Sequence, residues 1–241
     1  MDDGIIIYEN IKIIYEDNHI LVVVKPQNIP TQGDSSGDKD ILTYLKEYIK
    51  EKYDKKGEVF LGIVHRLDRP TGGVMVFAKT SKAAERLFYS MKEGDFEKKY
   101  LAVVHGAPKE KQNKLVHYLI KNERRNIVQV APMTSESAKR AELDYKVLNE
   151  KEDLSLVMIK LITGRSHQAR VQMSTIGAPI VGDVKYGKKI IKSNLALWAT
   201  EIKFTHPTLK EKMTFRVYPP EDEYPWNLFD LDIYLKININ Y

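Results

Sequence analysis

Five stretches of this chain, Tyr100–His105 (YLAVVH), Leu115–Ile120 (LVHYLI), Asn126–Val130 (NIVQV), Ala141–Leu148 (AELDYKVL) and Leu154–Ile162 (LSLVMIKLI), follow one another with no helical pattern between them. Each is rich in Val, Ile, Leu or Tyr and short polar turns join them, which predicts strands paired as an antiparallel meander. Upstream, Val74–Ala78 is a continuous apolar run suited to a strand buried on both faces, and Ala83, Ala84, Leu87, Phe88 and Met91 after it recur at helical spacing. Val59–Val64 is a further strand candidate, separated from that run by the polar turn His65–Gly73. Nearer the start, Ile11–Tyr15 and His19–Lys25 are β-rich, and Pro26 and Pro30 break the chain into a loop from Gln32 to Asp40 that holds Gly33, Ser35, Ser36 and Gly37. Ile41, Leu42, Leu45, Tyr48 and Ile49 then predict an amphipathic helix capped by Asp38 or Asp40. Residues 163–176 regain helical character, Gly177–Gly187 is a loop, and Ala196–Phe204 and Met213–Tyr218 read as closing strands. Runs of strands with few helices predict an α+β fold around a mixed, largely antiparallel sheet. The reading is one domain over residues 1–218, with residues 219–241, after Pro219–Pro220, as a C-terminal appendage.

Composition narrows the function classes. The chain has 241 residues, 43% of them hydrophobic and 29% charged, the make-up of a folded protein with a substantial core. No apolar run exceeds five residues, as in Ile20–Val24, far short of the roughly 20 that span a bilayer as a helix. The absence of cysteine removes disulfides, zinc–thiolate sites and cysteine nucleophiles, and the cytoplasm is the expected compartment. The net charge is +5, with basic residues paired at Lys98–Lys99, Arg124–Arg125, Lys139–Arg140 and Lys188–Lys189 with Lys192. Such pairs suit a polyanion, or are ordinary solvated surface.

Two segments carry chemistry. In His65-Arg66-Leu67-Asp68-Arg69-Pro70-Thr71-Gly72-Gly73, proline holds Arg69 extended and the glycines allow a tight turn, so Asp68 stands on a constrained loop between two arginines. A turn-capping aspartate paired with surface arginines fits the same segment. In Thr163-Gly164-Arg165-Ser166-His167-Gln168-Ala169-Arg170 a strand hands over to a helix. With the helix starting near Gly164, His167 and Arg170 are i, i+3 neighbours, and with Arg165 they make an anion-favouring helix start.

Residues 61–80 resemble the signature of the RluA/RluD-type pseudouridine synthases. So do Glu16–Pro26, Lys98-Lys99-Tyr100-Leu101-Ala102, Thr163–Arg170, Gly182-Asp183-Val184-Lys185-Tyr186-Gly187 and Leu195–Ala199, in family order from about residue 11 to 218. The resemblance implies the pseudouridine synthase fold and isomerisation of uridine in RNA, ribosomal or transfer, with no cofactor and no metal. It makes Asp68 the essential carboxylate, attacking ribose or base. Arg66 fills the gap left by the flipped base, and Tyr100 stacks on the uracil and helps remove the C5 proton. Arg170 supplies the charge that keeps Asp68 anionic, and Leu197 packs on the other side of the base, with Arg165 and His167 binding substrate. The family often has His at the position of Trp198 and Ile or Leu at that of Ala169. About ten residues precede the first matching strand, so the expectation is a chain without an S4-type domain whose catalytic domain grips RNA itself, through Lys98, Lys99, Arg165 and the Arg124–Arg125 turn; with no apolar dimerisation stripe left over from the core, a monomer is expected. Two other classes share part of this pattern. A non-enzymatic RNA-binding module shares the basic surface, and a nucleoside or glycoside hydrolase needs a second carboxyl group, for which Asp183 is the candidate.

Overall fold

Asp40 accepts from the Thr43 amide and caps the helix α1 (Ile41–Lys52), as its place before the first apolar-periodic residue predicts. The structure, a computed structural model, describes residues 6–34, 36–187 and 193–235; Ser35 and the Lys188, Lys189, Lys192 cluster lie outside them. The chain divides into two compact units, the first reaching to Glu97 and including Glu201–Val217, the second holding Lys98–Thr200 and the described residues from Tyr218 to Leu235.

In the first unit, β1 (Ile6–Tyr8), β2 (Ile11–Glu16), β3 (Ile20–Lys25) and β5 (Gly72–Ala78) pair antiparallel in that order, with β4 (Gly62–Ile63) also on β5. All seven residues of β5 are buried, which is why that stretch reads as an uninterrupted apolar run. Val59 and Leu61 are buried without joining a ladder, so the predicted strand Val59–Val64 shrinks to two residues. Thr80 caps α2 (Ser81–Lys92) through the Ala83 amide. Ala83 and Leu87 of α2 join Ile20, Val22, Val74 and Val76 in one core.

The second unit holds β6 (Phe96–His105) from Lys98 on, together with β7 (Gln112–Asn122), β8 (Ile127–Val130), β9 (Lys139–Lys151) and β10 (Leu154–Leu161), the five predicted strands. Their pairing is antiparallel throughout, but the order is β6-β10-β9-β7-β8 and not a meander, because β10 inserts between β6 and β9 while β7 closes on β9. The helix α3 (Gln168–Thr175) lays Val171 on Leu119, Val128 and Ala141. β11 (Leu197–Thr205) pairs with β12 (Lys212–Arg216) over Glu201–Thr205, and Phe204 of β11 stacks on Phe96 at 5.3 Å within the first unit's core. The segment beyond Pro220 folds back into the second unit through a 3₁₀ turn (Trp226–Leu228) and a short helix, α4 (Asp232–Leu235), burying Trp226, Phe229, Leu231 and Leu235. The fold is α+β: antiparallel sheet with few helices.

Candidate active site

The loop that presents Asp68 is fastened on both sides of that residue by the segment after β3. Lys25 is fully buried, and its Nζ donates to the carbonyls of Pro26 (2.9 Å), Ile29 (2.7 Å) and Arg69 (3.1 Å). Three acceptors match the three N–H donors of an ammonium. Burial pulls the Lys25 pKa down to about 7, opposed by the nearby Asp68 charge. On the other side, Thr31 Oγ1 donates to the Leu67 carbonyl at 2.8 Å and accepts from its amide at 3.3 Å. Asn28 N–H donates to the Arg69 carbonyl at 2.8 Å, and Gln27 Nε2 to that of Pro70 at 2.9 Å. His65 Nε2 accepts from the Val76 amide at 3.2 Å and ties the start of the loop to β5. Gly73 has φ +123°, closed to most side chains, which explains the glycine at the end of the turn. Asp68 is half-buried and Arg66 exposed, while Arg69 turns to the Asn28 carbonyl and the Asp38 carboxylate.

In the second unit α3 starts at Gln168, four residues later than predicted. Gln168 occupies the preceding turn, its Oε1 accepting from Thr163 Oγ1 (2.7 Å) and the Arg165 amide (3.0 Å) and its Nε2 donating to the Glu142 carbonyl (2.8 Å). His167 is the helix N-cap, with φ +51°, so it does not share a helix face with Arg170. The two meet instead on Tyr186: His167 Nδ1 lies 2.6 Å from its hydroxyl, and the Arg170 guanidinium sits 5.2 Å from its ring centroid. Arg170 Nε and Nη2 donate to Asp183 Oδ2 and Oδ1, both at 2.7 Å, and this bidentate pair is almost fully buried. Asp183 Oδ1 also accepts from the amides of Lys185 (2.9 Å) and Tyr186 (3.1 Å). Arg165 is exposed and donates from Nε to the Arg140 carbonyl at 3.0 Å, so the anion-binding trio expected at one helix start is dispersed.

Tyr100, opposite Ile159 in the β6–β10 ladder, and Leu197, the first residue of β11, are both buried. Lys98, expected to grip RNA, is buried instead, and burial lowers its pKa; a Cβ on Gly164 would come within 3.3 Å of its Nζ. Trp198 is buried with its indole Nε1 lacking a hydrogen-bond partner among the described residues, and Ala169 is buried too. The first unit thus carries Asp68 and Arg66, and the second Tyr100, Arg165, His167, Arg170 and Leu197. Sequence reasoning missed the fastening roles of Lys25 and Thr31 and the clamp that Asp183 and Tyr186 place on Arg170. Among the described residues no group of three or more His, Cys, Asp or Glu is arranged to hold a metal, and no helix is long and apolar enough to cross a membrane.

The family described as RNA pseudouridylate synthase matches residues 19–175. Ribosomal large subunit pseudouridine synthase C of Buchnera aphidicola is 34% identical over 225 residues, covering 88% of this chain and 68% of its own length. The synthase C of Escherichia coli is 33% identical over 221 residues, with coverages of 88% and 66%. Among solved structures, human RNA pseudouridylate synthase domain containing 4 superposes with a TM-score of 0.73 at 25% identity, covering 86% of this chain and 88% of that one.

Proposed function

The chain belongs to the RNA pseudouridylate synthase family and is an isomerase acting on RNA, and on that premise we propose that Asp68 is its essential carboxylate and large-subunit ribosomal RNA its substrate. The reaction breaks the N1–C1′ bond of uridine, forms a C5–C1′ bond, gives up the C5 proton and places a proton on N1. Nothing is oxidised, hydrolysed or transferred to a second molecule. A stacked base is out of reach and must be flipped at a cost of a few kcal/mol. The exposed, planar guanidinium of Arg66 suits the gap it leaves. Asp68 attacks ribose or base, Tyr100 stacks on the uracil and helps take the C5 proton, and Leu197 packs on its other side. Arg170, clamped by Asp183, is the cation of the set, and Arg165 and His167 belong to the RNA contact. The proposal has the chain working as a monomer in the cytoplasm.

The observation that carries this reading is the fastening of Leu67 by Thr31 and of Arg69 by Lys25, which fixes the residue between them. Such rigidity is what a positioned nucleophile needs and what a turn-capping aspartate does not. The hydrolase alternative loses its second carboxyl group, since both oxygens of Asp183 are engaged by Arg170. The test is tritium release from C5-labelled uridine in unmodified ribosomal and transfer RNA transcripts. Release by the wild-type chain, with a loss of about 10³-fold or more in Asp68→Asn, is expected. Unchanged release by that variant would remove Asp68 from the centre of the reaction, and release from transfer RNA alone would replace the substrate.

A further inference from the structure

Among the described residues, the buried side-chain polar atoms without a hydrogen-bond partner include Gln172 Oε1, Trp198 Nε1 and Thr71 Oγ1. Few buried polar groups in folded proteins are left so, and each asks for a physical reason. Gln172 is committed by its other end: Nε2 donates to the carbonyls of Leu115 and Ala141, both at 3.3 Å, and an amide turned to offer Oε1 elsewhere would lose them. Trp198 buries a whole indole ring, whose apolar surface outweighs one unmatched N–H. Thr71 has neither reason. It is 2% exposed, and valine has the same outline with a methyl in place of the hydroxyl, so at this position the hydroxyl lowers the stability of the fold.

The place of Thr71 in the chain points to a use for that hydroxyl. Its amide donates to the Asp68 carbonyl at 2.9 Å, which closes the tight turn Asp68-Arg69-Pro70-Thr71 and keeps the Cα atoms of Asp68 and Thr71 within about 7 Å. An aspartate that opens such a turn ordinarily accepts a side-chain hydrogen bond from the amide two residues on. Here that residue is Pro70, which has no N–H. The next amide, that of Thr71, is committed to the Asp68 carbonyl, and the Arg69 guanidinium is turned to the Asn28 carbonyl and the Asp38 carboxylate. Within the turn, the Thr71 hydroxyl is the side-chain donor that is not committed elsewhere. A rotation of about 120° about its Cα–Cβ bond exchanges hydroxyl and methyl without changing the volume that the side chain fills. The backbone around it stays held, by Thr31 at Leu67 and by Lys25 at Arg69.

We propose that Thr71 is a positioning residue for Asp68: with RNA bound, its hydroxyl donates to one oxygen of the Asp68 carboxylate and holds that side chain while the other oxygen attacks. The proposal rests on the reading of Asp68 as the essential carboxylate. Thr71 gives up no proton and forms no bond to the substrate, so the reaction balances as before. The experiment compares Thr71→Val, Thr71→Ser and Asp68→Asn with the wild-type chain in tritium release from C5-labelled RNA transcripts, with kcat and KM separated, and in urea unfolding. Thr71→Val is expected to keep or raise the unfolding midpoint while kcat falls about tenfold and KM stays within about twofold. Thr71→Ser keeps the hydroxyl and loses a buried methyl, so its midpoint is expected to drop while kcat stays within about threefold of wild type. A residue that only supports the fold gives the same order in both measurements, whereas the positioning role requires the two orders to cross. A Thr71→Val chain with wild-type kcat, or one that unfolds at lower urea than wild type, overturns the proposal. So does a serine variant no more active than the valine one. Asp68→Asn scores the underlying reading separately: loss of release there with wild-type kcat in Thr71→Val overturns the positioning role alone, and unchanged release in Asp68→Asn overturns both.

Discussion

Lys25 shows how a single buried charge can organise a loop. Its three carbonyl partners include that of Arg69, 44 residues away, and a neutral amine would leave one of the three unmatched. Lys25→Met removes every donor, and at about 1–3 kcal/mol per stranded buried carbonyl the substitution is expected to cost about 3 kcal/mol or more in urea unfolding and to depress turnover with it. Asp183 is the matching case in the second unit. Asp183→Ala leaves the Arg170 guanidinium buried without its bidentate partner, an expected loss of about 3–5 kcal/mol, whereas Asp183→Asn keeps an acceptor for one N–H and loses less. A thermal melt of the two variants checks the order. The roles proposed for Asp68 and Arg170 come from the sequence, because each sits inside a short motif whose residue types suit the chemistry. The work of Lys25 and Asp183 does not, because their partners are backbone carbonyls and a side chain brought close only by folding.

Among the elements, the loop before β11 turns on one glycine. Gly182 has φ +74°, and a Cβ there would stand 2.2 Å from the Asn194 carbonyl oxygen. Gly37 has nearly the same φ, +75°, with nothing within 4 Å. Gly182→Ala is therefore expected to cost more than about 3 kcal/mol and Gly37→Ala only about 1 kcal/mol, a contrast that chemical denaturation reads directly. The first unit is also held by Glu16 of β2, which accepts from Tyr48 and Lys52 of α1, from Tyr53 at the helix end and from Lys79 after β5. Burial alone would raise the Glu16 pKa; hydrogen bonds from Lys52, Lys79, Tyr48 and Tyr53 bring it down to about 2. Because the folded value lies below the ordinary 4.5, its contribution is complete above pH 4.5 and disappears as pH falls through 2. Glu16→Gln is expected to flatten the acid limb of the stability curve by about 1–2 kcal/mol after solvent screening, measured by urea titration at stepped pH. Helix α1 and its Asp40 cap are legible because cap and period agree locally; the start of α3 is not, because the Gln168 side chain closes the turn that the helix was expected to fill.

At the scale of the whole molecule, residues 219–235 belong to the second packed unit. A chain ending at Tyr218 forfeits the burial of Trp226, Phe229, Leu231 and Leu235, each worth about 1.5–3 kcal/mol. Its melting midpoint is expected to fall by about 10 °C or more, and an unchanged midpoint would show that the segment adds nothing to stability. The amino-acid sequence by itself determined most of the strands, the helices α1 and α2, the α+β class and the family, because period and motif order are local properties that survive without a partner. Tertiary structure alone decided that β10 inserts between β6 and β9, that His167 and Arg170 meet on Tyr186, that Lys98 is buried, and that Lys25 and Thr31 hold the loop of Asp68. Those outcomes depend on which distant groups satisfy each other's hydrogen bonds and bury each other's surface, and no local pattern encodes that choice.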